Sequence, residues 1–259
     1  MTWIEALILG IVQGLTEFLP ISSSGHLELG KVILGTGVEQ SLLFTVVVHG
    51  ATVLSIIVVF WKDILGLITE FLKFEWNEST RYIVKIFISM IPILIVGLFF
   101  KEEVEGFFTG NLVFVGIMLL VTAALLAFAY FYNASDKPIT NKSAFLIGVA
   151  QALAVLPGIS RSGATISTGL LLGAKRKEIT RFSFLMVLIP IIGANIKDLS
   201  EESLSSGSFH YLPLLVGFMA AFVSGLFACR WMIRIINQGK WIYFAYYCLV
   251  VGVLAIVFG

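Results

Sequence analysis

Between Tyr82 and Phe100 the chain reads YIVKIFISMIPILIVGLFF, and Lys85 is the single charge in that run. A helix needs about 20 apolar residues to cross the hydrocarbon core of a bilayer. Comparable runs cover Leu42–Trp61, Leu112–Tyr132, Leu212–Ile236 and Trp241–Phe258, with a shorter one at Phe182–Ile196. Charged residues make up only 13% of the 259, against about 25% in an ordinary soluble domain. Too little charge is present to cover a soluble surface. The chain reads as an all-α polytopic membrane protein, a single integral membrane domain over residues 1–259. The net charge of +1 gives no reason to expect a nucleic-acid partner. Cys229 and Cys248 lie in apolar segments without ligand-like spacing and read as small hydrophobic fillers. The N-terminus has no basic region and no small-residue cleavage site, so it does not read as a removable signal peptide.

Two other apolar stretches, Met1–Leu34 and Ala144–Leu172, are interrupted in the middle by proline, glycine and serine. Irregular backbone at membrane depth survives only where protein or water satisfies its polar groups. Both stretches therefore read as re-entrant hairpins built from broken helices. Basic residues orient the rest. Lys62, Lys73, Arg81, Lys137, Lys142, Lys175 to Lys177, Arg181, Arg230, Arg234 and Lys240 fall on one set of loops and span ends, and Glu102, Glu103, Glu105, Asp198, Glu201 and Glu202 on the other. The positive-inside rule places the first set in the cytoplasm. That predicts six full transmembrane helices plus two re-entrant hairpins in a multi-pass protein of the cell (plasma or inner) membrane, with both termini outside. The first hairpin enters from outside and the second from the cytoplasm.

The two broken stretches are related. Shifted by 138 positions, LGIVQGLTEFLPISSSG (Leu9–Gly25) falls on IGVAQALAVLPGISRSG (Ile147–Gly163). Gln13 meets Gln151, and Ile21, Ser22, Ser24 and Gly25 meet Ile159, Ser160, Ser162 and Gly163. This predicts an inverted-topology repeat, one half about residues 1–135 and the other about 140–259. In such folds the polar site lies near the midplane between discontinuous helices.

Pro20 ends one helical piece, and the serines after it are good N-caps for the next. Pro157 and Gly158 break the second stretch, and a helix restarts over Ser160 to Ser162. Two helix N-termini converging on one place make an anion site. Arg161 stands at that start, where a guanidinium inside a membrane protein is expensive and usually functional. Its fork matches phosphate oxygens, so phosphate or diphosphate is the expected anion. Ser23 and His26 sit at i and i+3 on one helical face, a spacing that suits an activated nucleophile. Glu17 lies one break upstream with Gln13 four residues before it. A carboxylate with further oxygen ligands beside phosphate suits Mg²⁺ or Ca²⁺.

Plainer readings compete. Serine runs at helix starts serve as caps alone, Arg161 can pair structurally with Glu17, and His49, in TVVVHG, either lines the cavity or bonds within the core. His210 reads as a solvated loop residue, and Glu5 and Glu28 as supporting groups. A carrier of small anions or a lipid flippase would show the same broken-helix architecture. Ser23 beside His26, with Glu17 near, favours chemistry over carriage.

QGLTEFLPISSSGHL (Gln13–Leu27) and PGISRSGAT (Pro157–Thr165) resemble the two signature motifs of undecaprenyl-diphosphate phosphatases of the BacA/UppP type. IVVFWKDILGLI and ANIKDL are similar to that family too, and the resemblance runs over essentially the whole chain. It implies removal of the terminal phosphate of undecaprenyl diphosphate, recycling of the lipid carrier for wall polymers, divalent-cation dependence and bacitracin resistance. It carries the family's carboxylate element to Gln13 and Glu17, its serine-glycine-histidine element to Ser22, Ser23, Gly25 and His26, and its second motif to Ser160, Arg161, Ser162 and Thr165. Gln13 stands where many members carry a second carboxylate, and His49 where Gln is common. The expected site is Ser23, His26, Glu17 and Arg161 as catalytic residues and Ser22, Ser160, Arg161, Ser162 and Thr165 on the phosphates. Glu17 and Gln13 would hold the metal. Ser23, His26 or water remains open as nucleophile. Partners are the lipid diphosphate, membrane lipid and a second copy of the chain, which the apolar faces permit without specifying.

Overall fold

The computed structural model describes residues 1–34, 41–108, 110–132, 136–202 and 211–259. His210 lies outside them. The described residues form helices α1 (Trp3–Phe18), α2 (Ser23–Leu34), α3 (Ser41–Val59), α4 (Trp61–Phe71), α5 (Glu78–Phe99), α6 (Lys101–Glu105) and α7 (Leu112–Phe131). After these come α8 (Asn141–Leu153), α9 (Arg161–Leu171), α10 (Arg176–Met186), α11 (Leu188–Glu202), α12 (Tyr211–Asn237) and α13 (Ile242–Phe258).

Every apolar run is helical. Four spans are long and apolar enough to cross a bilayer: α5, α7, α12 and the α10–α11 segment Arg176–Lys197. The α3–α4 pair adds a fifth if it counts as one span, but it is bent by 74° after Val59. The α13 helix is apolar and 17 residues long. The short run at Phe182–Ile196 is thus part of a longer helical segment that starts in the basic stretch at Arg176. It is interrupted at Val187 because Pro190 has no N–H for the Met186 carbonyl and its ring crowds that carbonyl. Large apolar side chains such as Leu98, Phe128, Phe227 and Val257 remain exposed on the outside of the bundle, as a lipid-facing surface requires.

Glu5 has a local task. Its carboxylate accepts from the Thr2 N–H at 2.9 Å, and Thr2 Oγ1 accepts from the Glu5 N–H at 3.3 Å, closing a capping box on α1. The α1 helix packs along α12 through small residues. A methyl group at Gly14 would lie 2.4 Å from the Ala221 carbonyl oxygen, so only glycine allows the backbones this close.

Packing repeats between the halves. Helix α1 rests on α12, while its counterpart α8 rests on α5, the counterpart of α12. Helices α7 and α13, counterparts of one another, pack together. This exchange of partners is what a two-fold relation between the halves produces. It brings both helix breaks, residues 19–22 and 154–160, to the middle of the bundle.

Candidate active site

The breaks touch through repeat-related residues. A methyl group at Gly25 would lie 3.2 Å from the Cα of Gly158, and one at Gly163 would lie 3.3 Å from Cβ of Pro20. Gly25 and Gly163 correspond under the 138-residue shift, as do Pro20 and Gly158. Each restarting helix is capped the same way. Ser22 Oγ accepts from the Gly25 N–H at 3.3 Å, and Ser160 Oγ accepts from the Gly163 N–H at 3.1 Å. The Oγ of Ser22 lies 3.3 Å from that of Ser24, and Ser160 and Ser162 repeat this distance. Ser22, Ser160 and Ser162 are all buried.

The polar backbone of the breaks finds partners, as its burial demands. Thr122 of α7 accepts from the Ser160 N–H at 3.0 Å and donates to the Gly158 carbonyl at 3.1 Å. Ser162 Oγ donates to the Leu19 carbonyl at 3.3 Å, and Cys248 donates weakly to the Pro20 carbonyl at 3.6 Å. Both cysteines are buried and free. Cys248 is more than filler, because its thiol helps to satisfy the first break.

Glu17 is the centre. Its side chain is only 2% exposed. Oε2 accepts from Ser23 Oγ at 2.6 Å and from Gln13 Nε2 at 3.0 Å. Oε1 is paired with Arg161 Nη2. His49 Nε2 lies 3.8 Å from Oε2, so His49 is at the rim of the pair rather than confined to the core. Its Nδ1 donates to the Thr45 carbonyl at 2.8 Å. The ion pair thus bridges the first stretch and the first residue of α9. Breaking such a buried pair by removing one partner costs about 3–5 kcal/mol, because a lone buried charge remains. A cavity beside the pair is lined by Arg161, Ser162, Ser183, Phe184 and Val187.

One expected contact is replaced. Ser23 does not bond His26; its hydroxyl bonds Glu17. His26 Nδ1 donates to the Ser22 carbonyl at 2.8 Å, and Nε2 lies 2.8 Å from the Tyr247 hydroxyl. The helical spacing of Ser23 and His26 is as expected, but the turn at Ser22, with φ 70°, places the serine over the preceding carboxylate. Thr165 is buried, with Oγ1 2.7 Å from Ser183 Oγ and 2.9 Å from the Arg161 carbonyl. It therefore braces α9 against α10 and reaches the site through backbone. Sequence reading missed Thr122, Ser183 and Tyr247. Each lies within a helix far from the breaks in sequence, and nothing in its spacing points to them.

The donor set for a metal is sparse. Among the described residues no three His, Cys, Asp or Glu side chains gather. Gln13 Oε1, however, is buried without a hydrogen-bond partner. An orphaned oxygen acceptor beside a carboxylate fits a hard divalent cation whose remaining ligands are phosphate oxygens and water.

The amino-acid sequence matches a known group. The family model for bacitracin resistance protein BacA matches residues 6–254. The chain is 55% identical to an undecaprenyl-diphosphatase of Bacteroides fragilis over 99% of this chain and 98% of that protein. It is 53% identical to the undecaprenyl-diphosphatase of Bacteroides thetaiotaomicron over 99% of both. The similarity reaches 38% identity to the undecaprenyl-diphosphatase of Methanosphaera stadtmanae, covering 98% of this chain and 97% of that protein. With both broken helices, Glu17 and Arg161 inside the matched region, this chain belongs to the BacA family.

Proposed function

We propose that the protein is a membrane phosphatase that removes the terminal phosphate of undecaprenyl diphosphate and returns undecaprenyl phosphate for wall synthesis. The observation that carries this reading is the buried Glu17 carboxylate, which holds the Ser23 hydroxyl and the Arg161 guanidinium at once. A nucleophile, its base and a phosphate-binding cation meet at one atom group, between two helix N-termini suited to anions. The full-length likeness to proteins named undecaprenyl-diphosphatase supports the substrate.

In this mechanism the diphosphate enters from the outer face with its tail between helices. Arg161 leaves Glu17 for the phosphate oxygens, and the starts of α2 and α9, with Ser22, Ser160 and Ser162, complete the clamp. Glu17, freed from the guanidinium, takes the Ser23 proton. Oγ attacks the terminal phosphorus, and the bond from phosphorus to the bridging oxygen breaks, releasing the lipid monophosphate. His26 then takes a proton from water, whose oxygen attacks the phosphoserine. The Oγ–phosphorus bond breaks, Oγ recovers its proton from Glu17, and phosphate leaves with the proton that His26 gives back. Glu17 and Gln13 would hold a Mg²⁺ or Ca²⁺, which supplies charge neutralisation of the diphosphate when bound.

The test is phosphate release by the purified, detergent-solubilised protein from a long-chain prenyl diphosphate, with and without EDTA, beside Ser23→Ala and Glu17→Gln. EDTA-sensitive release that both variants lose is the expected result. Wild-type activity in Ser23→Ala would move the attack to His26 or water. No release by folded wild type across several prenyl lengths would favour carriage of the anion. The inside or outside position of the termini, and any dimer, rest on charge distribution and exposed apolar faces. Cysteine labelling from each side and mass measurement in native detergent test them.

A further inference from the structure

The His26 imidazole has both nitrogens engaged, and one partner comes from the other half of the chain. Nδ1 faces the Ser22 carbonyl at 2.8 Å. A carbonyl only accepts, so Nδ1 carries the proton and the lone pair of the neutral ring lies on Nε2. The Tyr247 hydroxyl of α13, 2.8 Å from Nε2, is then the donor. The two rings stack with centroids 5.6 Å apart and 15° between their planes. The Ser22 carbonyl belongs to the strained turn at φ 70°, so the break sets one side of the imidazole and α13 sets the other.

We propose that Tyr247 is a positioning residue for His26. Its hydroxyl and ring hold the imidazole in the single tautomer whose basic atom is Nε2, and the hydroxyl yields that atom when water for the second step arrives. This rests on the phosphatase reading above for its kinetic consequence, but not for the tautomer itself. Tyr247 is 42% exposed, so losing its hydroxyl leaves the core intact.

The experiment uses full-length protein labelled with ¹⁵N-histidine in detergent. Only three histidines are present, and His26→Gln identifies the resonance of interest. Wild type is expected to show His26 as one Nδ1–H tautomer. Tyr247→Phe keeps the ring and removes the donor, so it should give a mixture of tautomers. It should also lower kcat about tenfold, the worth of one hydrogen bond, with KM within about twofold. Tyr247→Leu should lower kcat further by losing the stack. Unchanged His26 resonances in Tyr247→Phe overturn the proposal, and so does an altered tautomer with wild-type kcat. If wild type releases no phosphate, the phosphatase reading fails, and the nitrogen spectra alone decide whether Tyr247 fixes the ring.

Discussion

The two broken helices share a plan and divide the polar groups of the site between them. Both stop before the bundle centre and restart from a serine whose hydroxyl accepts from the N–H three residues on. At the first position of the new helix one carries Ser23 and the other Arg161, and both side chains bond the same Glu17 carboxylate. The position equivalent to Glu17 is Val155, and that equivalent to His26 is Ala164. One break therefore holds the carboxylate, hydroxyl and imidazole, and the other holds the cation. Matching backbone at the two breaks frames the polar centre, while the few positions that differ make it asymmetric; in the mechanism proposed above, Arg161 binds the anion from one side and Ser23 attacks it from the other. The first break depends on the second, because without Arg161 the buried Glu17 carboxylate loses its ion-pair partner.

The most severe way to break the division is to remove one side of it. Ser23→Ala should lower phosphate release about 10⁶-fold, the scale of losing a nucleophile, and Arg161→Ala about 10³-fold, the scale of losing a transition-state contact. Full activity in Arg161→Ala would sink the claim that the second break supplies the phosphate clamp. A gentler cut targets the backbone. Gly158 has φ 101°, and a methyl group there would lie 2.5 Å from the Val115 carbonyl oxygen. Gly158→Ala should cost about 2–4 kcal/mol through left-handed strain and overpacking, read as an earlier thermal transition in detergent.

The paired glutamines sharpen the comparison further. Gln13 donates to Glu17, whereas neither amide atom of buried Gln151 has a hydrogen-bond partner among the described residues. Gln13→Leu should lower kcat about tenfold, the worth of one charge-assisted bond. Gln151→Leu should stay within about twofold of wild type by the same scale; equal losses in both would mean that the second half has its own polar role. The smallest effect on stability belongs to Ser22→Gly. Glycine relieves about 1 kcal/mol of left-handed strain but forfeits the side-chain cap, a change of a few tenths. The transition temperature should move little, and a large fall would show that the Ser22 hydroxyl does more than cap α2.

Much of this was legible before any coordinates. The 138-residue self-similarity located both breaks, and Pro20 and Pro157 marked where helices end. Glu17, Arg161 and Ser23 stood out as polar groups that lipid would penalise. The Ser23–His26 pairing was not realised, because helical spacing cannot foresee that the strained turn at Ser22 aims the hydroxyl back at Glu17. The bend after Val59 was equally hidden, since no proline or glycine marks it and only Lys62 and Asp63, where the apolar run ends, stand beside it. Thr122 and Tyr247 gave no local signal, as their partners lie 36 to 38 and 221 residues away along the chain.

By itself the sequence determined that this chain is helical, lives in a membrane and interrupts two related helices. Apolar length, proline and serine act through local backbone physics that needs no neighbour. Only the tertiary structure decided which polar groups meet. The shared carboxylate, the threonine that braces the second break and the tyrosine on His26 depend on contacts between helices far apart in the chain. Those contacts exist only once helices from the two halves pack against each other and exclude water from the groups between them.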